Sequence, residues 1–375
     1  MTKQKIPKIR FNNYTDAWEQ QKLGEVAKIV MGQSPSSENY TENPNDHILV
    51  QGNADIKNNR VVPRVWTTQI TKQAQKGDLI ISVRAPVGDV GKTDYDVVIG
   101  RGVAAIKGNE FVFHILGKMK QSGYWNALST GSTFESINST DLNNASVILP
   151  TSTEQTVIGD FFRQLDTLLT LHQRKLEELK SFKSTMLSKM FPKHGQTVPE
   201  IRLTGFDGEW KTDKLKNRMN ISAGGDIDKS RIKTIDKYPV VANALTNKGI
   251  VGYYDDYKVK APAVTVTGRG DVGHAIARHT SFTPIVRLLS LQSNDFDVDF
   301  LENMINSIRI YNESTGVPQL TAPQLGNYYI QFPSLDEQRV LGTFFSNLDN
   351  LTSSIQSKIE ELKTLKKKLL QDMFV

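Results

Sequence analysis

Two long segments of the chain carry apolar residues at the spacing of a single helical face. Within 154–190 and 337–373 these residues recur about every 3.6 positions, with polar residues between them. Proline is absent from both segments, and neither contains a glycine after Gly159 or Gly342. Each segment therefore predicts one continuous amphipathic helix about 55 Å long. The apolar stripes include Phe161, Leu165, Leu168, Leu176, Leu179, Phe344, Leu348, Leu351, Ile355 and Leu362.

A stripe of this length is too long for one globule to cover. We predict that the two helices pack together as an antiparallel coiled coil, with the halves of the chain related by a pseudo-two-fold axis. The alternative is two independent bundle helices in separate domains. Both helices begin with residues that fit a capping box, Thr151 with Glu154 and Ser334 with Glu337.

The segments that precede the helices have the pattern of mixed α/β globules. Short apolar or alternating runs bounded by glycine, proline and aspartate predict strands, for example at 78–83 and 263–267. Helices are predicted at 112–123 and 300–306. The predicted fold class is therefore mixed α/β. The chain is predicted to have four parts: a first globule with its lead-in at 1–150, a spacer helix at 151–192, a second globule with its lead-in at 193–333 and a second spacer helix at 334–375.

The sequence repeats itself. When 141–191 is aligned with 324–374, 22 of 51 positions are identical. Matching residues also precede each globule at one offset of 192, namely 6–10 with 198–202 and Trp18 with Trp210. Inside the globules only two short islands recur, 88–91 as 270–273 and 129–131 as 314–316. The two halves are therefore expected to share a scaffold and to differ in what their globules present.

The composition narrows the class of protein. The 375 residues are 38% hydrophobic and 23% charged, with no cysteine and a formal net charge of +6. Cysteine chemistry is excluded, which fits a reducing compartment. There is no run of 18 apolar residues, and no apolar stretch follows the basic N-terminus as a secretory signal would require. These features predict a cytoplasmic protein without a membrane span.

The sequence matches known catalytic and cofactor-binding motifs only partially. Residues 268–273 spell GxGxxG, but the segment that follows alternates like a strand, so a hairpin turn is preferred over a dinucleotide loop. Gly91-Lys92-Thr93 resembles the end of a phosphate loop that lacks its first glycine. A D/N-P-P-Y/F tetrapeptide for amine methylation is absent, and we expect no metal site and no catalysis by this chain alone. The acidic or histidine candidates set aside are Asp94, Asp96, Asp295, Asp297, Asp299, His274 and His279.

Positive charge is concentrated in one part of each globule. Residues 57–107 carry nine Lys/Arg against four Asp/Glu, and residues 211–287 carry fourteen against seven. Two basic surfaces on a two-fold frame match duplex DNA, where arginine takes phosphate or guanine edges and asparagine reads adenine. The candidate DNA-binding residues are Lys57, Arg60, Arg64, Arg84, Lys92, Arg101, Lys229, Arg231, Lys233, Asn243, Asn247, Arg269, His274 and Arg278.

With these features together, the chain resembles the specificity subunits of Type I restriction–modification enzymes over essentially its whole length. Residues 154–180 and 337–363 look like the central and distal spacers of that family, and 6–18 and 198–210 look like the lead-ins to its two target-recognition domains. The resemblance implies that each globule reads half of a split site in double-stranded DNA.

The resemblance also implies partners. In the family the helices set the gap between the half-sites and dock two methyltransferase subunits, which use S-adenosylmethionine. Restriction/translocase subunits then join with ATP and Mg²⁺, so no cofactor is expected in this chain. Two other classes of function stay open at this point: a stand-alone enzyme acting on DNA, and a non-catalytic coiled-coil adaptor whose basic globules bind RNA or another protein.

Overall fold

The computed structural model describes residues 6–128, 135–193, 195–308, 310 and 319–375. The chain forms two compact units. The first, unit 1, consists of Met1–His172 with Lys358–Val375, and the second, unit 2, consists of Gln173–Ser357. Each unit contains one globule and one segment of each long helix. The repeated islands at 129–131 and 314–316 lie outside the described residues.

Unit 1 is built on two mixed sheets. The larger has the strand order β2-β12-β9-β10-β6-β5, the second has the order β3-β7-β4-β11-β8, and β1 pairs with β13. Strand β9 is buried along its whole length because sheet neighbours flank it on both edges and both of its faces are covered. The strands are β1 Glu19–Lys22, β2 Lys28–Met31, β3 Tyr40–Thr41, β4 His47–Val50, β5 Ile56–Lys57, β6 Arg60–Val61, β7 Trp66–Thr67, β8 Gln73–Ala74, β9 Leu79–Ser82, β10 Val90–Lys92, β11 Val97–Ile99, β12 Val103–Lys107 and β13 Ser146–Leu149. The helices are α1 Leu23–Val26, α2 Glu110–Gln121, α3 Tyr124–Leu128, α4 Ser139–Asn144 and α5 Ser152–Met190, the last of which continues into unit 2.

Unit 2 repeats this plan with fewer strands. Its sheets have the orders β15-β21-β18-β19 and β17-β16-β20, and β14 pairs with β22. The strands are β14 Lys211–Lys214, β15 Asn220–Ala223, β16 Tyr238–Val241, β17 Ile250–Tyr254, β18 Ala263–Val266, β19 Ala275–Arg278, β20 Thr283–Pro284, β21 Leu289–Gln292 and β22 Tyr329–Phe332. The helices are α6 Leu215–Arg218, α7 Val298–Ser307, α8 Ala322–Gly326 and α9 Leu335–Met373, which ends in unit 1. The predicted domain boundaries at 150, 192 and 333 fall beside the ends of α5 and the start of α9.

An aromatic cluster forms the centre of unit 1. Phe374, just beyond α9, stacks on Phe111 of α2 at a centroid distance of 4.8 Å and also contacts Trp18 and Phe162. All four side chains are at most 3% exposed. Burying four large rings in one place gives the unit a core that α2, α5 and the last residues of the chain build together.

Unit 2 has the same cluster built from the repeated residues. Phe191, just beyond α5, stacks on Phe300 of α7 at 5.6 Å and contacts Trp210 and Phe345. Each member corresponds to one in unit 1, and three of the four, Phe191, Trp210 and Phe345, match aromatic residues in the sequence repeat.

The two long helices run antiparallel within each unit. In unit 1, Asp166 of α5 pairs with Lys366 of α9, and Phe162 meets Phe374 beyond the end of α9. In unit 2, Lys183 of α5 donates to Asp349 of α9 at 2.6 Å. These two ion pairs are repeats of each other with the roles of the helices exchanged. The mixed α/β class and the antiparallel pairing of the helices are confirmed, and the alternative of unpaired bundle helices is wrong.

The predicted capping boxes are wrong, because each glutamate has a different partner. Both carboxylate oxygens of Glu154 accept hydrogen bonds from Arg10, and both of Glu337 accept from Arg202. Only half of one box forms, where the Ser334 hydroxyl accepts the Glu337 N–H at 3.4 Å.

Candidate nucleic-acid interface

A tight turn follows strand β9 in unit 1. The Ser82 hydroxyl donates to the Pro86 carbonyl at 2.8 Å and accepts the Asp89 N–H at 2.8 Å, while the Gly88 N–H donates to the Ser82 carbonyl. Gly88 has a φ of 82°, and Trp125 leaves no room for a Cβ there. Ser82 is thus the residue that closes the turn, and Arg84 lies inside it.

The same turn follows strand β18 in unit 2, with Thr267 in the place of Ser82. The Gly273 N–H donates to the Thr267 carbonyl at 2.8 Å, and the His274 N–H donates to the Thr267 hydroxyl at 2.9 Å. Strands β18 and β19 are antiparallel neighbours, so the GxGxxG segment is a hairpin turn, as predicted. The correspondence of 88–91 with 270–273 is wrong by three residues, since the hydrogen bonds align Gly88 with Gly273.

This alignment makes Arg84 and Arg269 equivalent residues. Each lies two positions after the residue that closes its turn, and each backbone forms an isolated bridge, Arg84 with Ser136 and Arg269 with Gln319. Both arginines are exposed, and neither side chain has a partner within the described part of the chain. Their guanidinium groups are therefore available to an anionic ligand.

Several of the other predicted cations already meet carboxylates. The pairs of Arg60 and Arg231 are exposed on both sides, so they are weak and exchange readily with other anions, whereas the carboxylates that meet Arg64 and Lys233 are largely covered. The pairs are Arg60 with Asp94 at 2.8 Å, Arg64 with Asp55 at 3.5 Å, Lys233 with Asp236 at 2.7 Å, and Arg231 with Asp255 and Asp256 at 2.8 and 3.1 Å. Lys57, Arg101 and Lys229 are exposed and have no side-chain partner among the described residues.

Two of the predicted DNA-binding cations are instead packed inside the globules. Lys92 pairs with Glu110 and lies 4.3 Å from the centroid of the Phe113 ring, and burial lowers its pKa. Arg278 is 7% exposed and donates to the Thr265 hydroxyl at 2.9 Å and to the Lys248 carbonyl at 2.8 Å. Because both side chains point inward, we withdraw them from the candidate interface.

The predicted asparagines occupy turns. Asn243 bonds at both ends of its amide, donating to the Val286 carbonyl at 3.1 Å and accepting the Gly268 N–H at 2.8 Å. It therefore joins two strand ends, and we withdraw it as a reader of adenine. Asn247 is exposed, has a φ of 49° and donates to the Ile250 carbonyl at 3.2 Å.

His274 follows the turn of unit 2 directly. His274 is exposed, and partial desolvation of its ring lowers its pKa, which favours the neutral imidazole over the cation.

Arg287 is a residue that the sequence analysis missed. It has a φ of 69°, and its guanidinium donates to the Gln319 side-chain oxygen at 2.8 Å. It lies next to Arg269, because a Cβ at Gly268 would collide with the Arg287 carbonyl. Its place at the end of the basic segment 211–287 was the available signal.

The helix stripe is buried unevenly. Leu165, Leu176, Leu179 and Leu362 are at most 9% exposed. By contrast, Leu168 is 40% and Leu351 is 45% exposed, so each keeps a large part of its apolar surface uncovered. These two leucines are repeat equivalents, as are Phe182 and Leu365, at 44% and 47%. The partly buried members of the predicted set are Phe161, Phe344, Leu348 and Ile355.

Two kinds of site are absent from the described residues. Within the ranges given above, no three histidine, aspartate or glutamate side chains come together as metal ligands would. In the same part of the chain, no helix has the length and apolar character that crossing a bilayer requires.

Comparisons with known proteins agree with the repeated architecture. The family model described as the Type I restriction modification DNA specificity domain matches twice, at 15–181 and 207–364. The chain superimposes on the crystal structure of the Type I restriction–modification S subunit from M. genitalium with a TM-score of 0.74, 16% identity and 99% coverage of both chains. At that identity the likeness shows the fold.

Curated relatives match over parts of their length. The putative type I restriction enzyme MjaX specificity subunit of Methanocaldococcus jannaschii is 32% identical over 189 residues, which are 48% of this chain and 44% of the relative. The putative type I specificity subunit S.MpnORF507P of Mycoplasma pneumoniae is 26% identical over 215 residues, 56% of each chain. The chain thus spans about half the length of the curated relatives it matches. Since the family model covers each globule with most of the helix that follows it, the chain belongs to the Type I restriction–modification DNA specificity family.

Proposed function

We propose that this chain is the DNA-specificity subunit of a Type I restriction–modification complex, in which each globule reads one half of a bipartite site. The observation that carries the proposal is the double match of the specificity domain on two units with the same fold. Two different readers on one scaffold suit a split sequence whose halves differ.

Duplex DNA is the ligand that the charge distribution favours. Arg84 and Arg269 occupy equivalent exposed turns, and each globule carries further exposed lysines and arginines. Lysine and arginine side chains of this kind can bind phosphates with a steep salt dependence, and an arginine can read guanine through bidentate hydrogen bonds. The adaptor alternative, with RNA or protein as ligand, receives no support from the family match.

The helices hold the two readers at a fixed separation and dock two methyltransferase subunits. Exposed apolar side chains at repeat-equivalent positions support this docking role, since Leu168 and Leu351 are uncovered at the same place in each repeat. Restriction/translocase subunits complete the assembly in the cytoplasm.

The chain itself is non-catalytic in this proposal. S-adenosylmethionine, ATP and Mg²⁺ act in the partner subunits. This chain recognises the DNA sequence at which those subunits act.

The test is to map methylated bases across the host genome with and without the gene. The proposal predicts that deletion abolishes methylation of one split motif with a fixed gap. If the methylome is unchanged while the methyltransferase subunits are expressed and active, the proposal is wrong.

A further inference from the structure

Ion pairing divides the arginines of this chain into two groups. Most described arginines have a carboxylate within 4.0 Å, and the buried Arg278 is held by a hydroxyl and a carbonyl. The paired arginines are Arg10, Arg60, Arg64, Arg163, Arg174, Arg202, Arg218, Arg231 and Arg339. Among the described residues, Arg84, Arg101, Arg269 and Arg287 have no such carboxylate.

The two unpaired arginines of unit 1 lie at one end of the sheet. Strand β9 ends where β12 begins, with Ser82 opposite Val103, and the Val83 N–H donates to the Gly102 carbonyl at 2.9 Å. Arg84 follows Val83 and Arg101 precedes Gly102, so both arginines adjoin this hydrogen bond, and the residue opposite Arg84 in the ladder is Ser136. Two arginines without a carboxylate partner among the described residues therefore lie at this end of the sheet.

The two unpaired arginines of unit 2 lie at the equivalent end. Strand β18 pairs with β21 with Val266 opposite Leu289, and Gly268 lies against the Arg287 carbonyl. Arg269 follows directly. In both units the arginines that have no carboxylate partner in the described part of the chain therefore lie at the same end of the sheet.

Arg287 has the geometry of a positioned reader. A φ of 69° is costly for an arginine, and such conformations persist where the surrounding structure imposes them, often at functional sites. The Gln319 oxygen accepts from its guanidinium at 2.8 Å, which restricts the orientation of the planar group. A phosphate contact needs charge, whereas a base contact needs this kind of orientation.

We propose that Arg84 with Arg101, and Arg269 with Arg287, are the specificity-determining pairs that read guanine in the first and second half-site. This rests on the proposed function, in that it assumes a bipartite DNA site. Each fork donates to O6 and N7 of a guanine in the major groove, and Gln319 is a positioning residue for Arg287.

The experiment selects DNA from a randomised duplex library with the purified full-length chain. The variants are Arg84→Lys, Arg101→Lys, Arg269→Lys and Arg287→Lys, which keep the charge and remove the fork. Arg163→Lys and Arg339→Lys are matched controls, because those exposed arginines pair with carboxylates on the long helices and are not among the candidate DNA-binding residues. Thermal unfolding verifies that each variant folds.

The expected result is loss of base preference at a guanine in one half-site only. Variants at 84 and 101 should weaken the preference for guanine in the first half-site, and variants at 269 and 287 should weaken it in the second. In each case discrimination against the other bases at that guanine position falls roughly 5- to 150-fold. The controls keep both halves.

Two other results have separate meanings. If the lysine variants keep the wild-type motif, or relax both halves equally, the assignment of these arginines is wrong while the proposed function stands. If the wild-type chain, alone and with its methyltransferase subunits, selects no bipartite sequence, the proposed function fails and the assignment fails with it.

Discussion

Arg10 and Glu154 form a bidentate ion pair that ties the lead-in of the first globule to the first turn of α5. Both N···O distances are 2.7 Å, and the side chains are 10% and 1% exposed. The pair Arg202 and Glu337 repeats it in unit 2 at 2.8 and 2.7 Å. The two most conspicuous repeats in the sequence, the lead-in and the helix start, thus recur because their residues bind each other.

Glu154→Gln should strongly destabilise unit 1. The change leaves the Arg10 guanidinium buried without its counter-charge, which costs about 3–5 kcal/mol of unfolding free energy. Denaturant unfolding of the full chain measures it. Asp160→Asn is the control, because its pair with Arg163 is exposed and is worth at most about 1 kcal/mol. Equal effects of the two substitutions would contradict the role given to the buried pair.

His114 should make unit 1 sensitive to acid. Burial, together with Lys366 and Lys92, lowers its pKa to about 2. The unfolded chain takes up this proton near pH 6.5 and the folded chain does not, so stability is full above that pH and is lost as the pH falls towards 2. The slope is at most about 1.4 kcal/mol per pH unit.

His114→Asn should remove this part of the pH dependence. The aromatic clusters align Phe111 with Phe300, which places the buried Asn303 at the equivalent position of unit 2. Burial raises the pKa values of Asp297 and Glu302, and these two groups change stability with pH in the opposite direction. The unfolding free energies of wild type and variant should therefore be compared at each pH. If the difference between them stays constant from pH 7 to pH 4, His114 is not a neutral buried residue.

The ion pair of Asp166 with Lys366 should show coupling across the helices. Both groups are partly buried, at 29% and 15% exposed. Asp166→Lys or Lys366→Asp alone brings like charges together, and the double substitution restores an attractive pair. A double-mutant cycle on unfolding free energy should give an interaction of about 1–3 kcal/mol. Simple additivity would show that the pair does not set the register.

The sequence predicted the scaffold well because the scaffold is repeated. The helices, the Trp18 and Trp210 positions and the antiparallel pairing all followed from periodicity and identity between halves. The individual DNA-binding residues were harder to predict, because the sequence does not show which lysines and arginines are paired with carboxylates in the fold. Lys92 and Arg278 looked like surface cations and are internal, whereas Arg287 became visible only through its neighbours at the sheet end.

The same limit applies to the helix stripe. Leu165 and Leu168 have equal standing in the periodic pattern, yet one is 9% and the other 40% exposed. The difference depends on what packs against each turn, which the pattern of one helix does not contain.

Leu168→Ser should therefore separate folding from assembly. Because Leu168 is exposed, the substitution should change the unfolding free energy of the isolated chain by at most about 0.5 kcal/mol. It should weaken binding of the methyltransferase subunits in a pull-down with the full chain. Leu165→Ala, which opens a buried site, should cost about 2–5 kcal/mol. If Leu168→Ser leaves assembly intact, the docking surface lies elsewhere.

The most direct test of the account replaces one reader by the other. Residues 211–332 are replaced by a second copy of residues 19–149, so that the boundaries fall at the tryptophan and the proline that match in the two repeats. The methylated motif is then mapped in a host that supplies the methyltransferase subunits. If each globule reads its own half-site, the motif becomes symmetric, with the first half-site present twice in inverted orientation. A hybrid that folds, assembles and still methylates the original asymmetric motif would contradict the account.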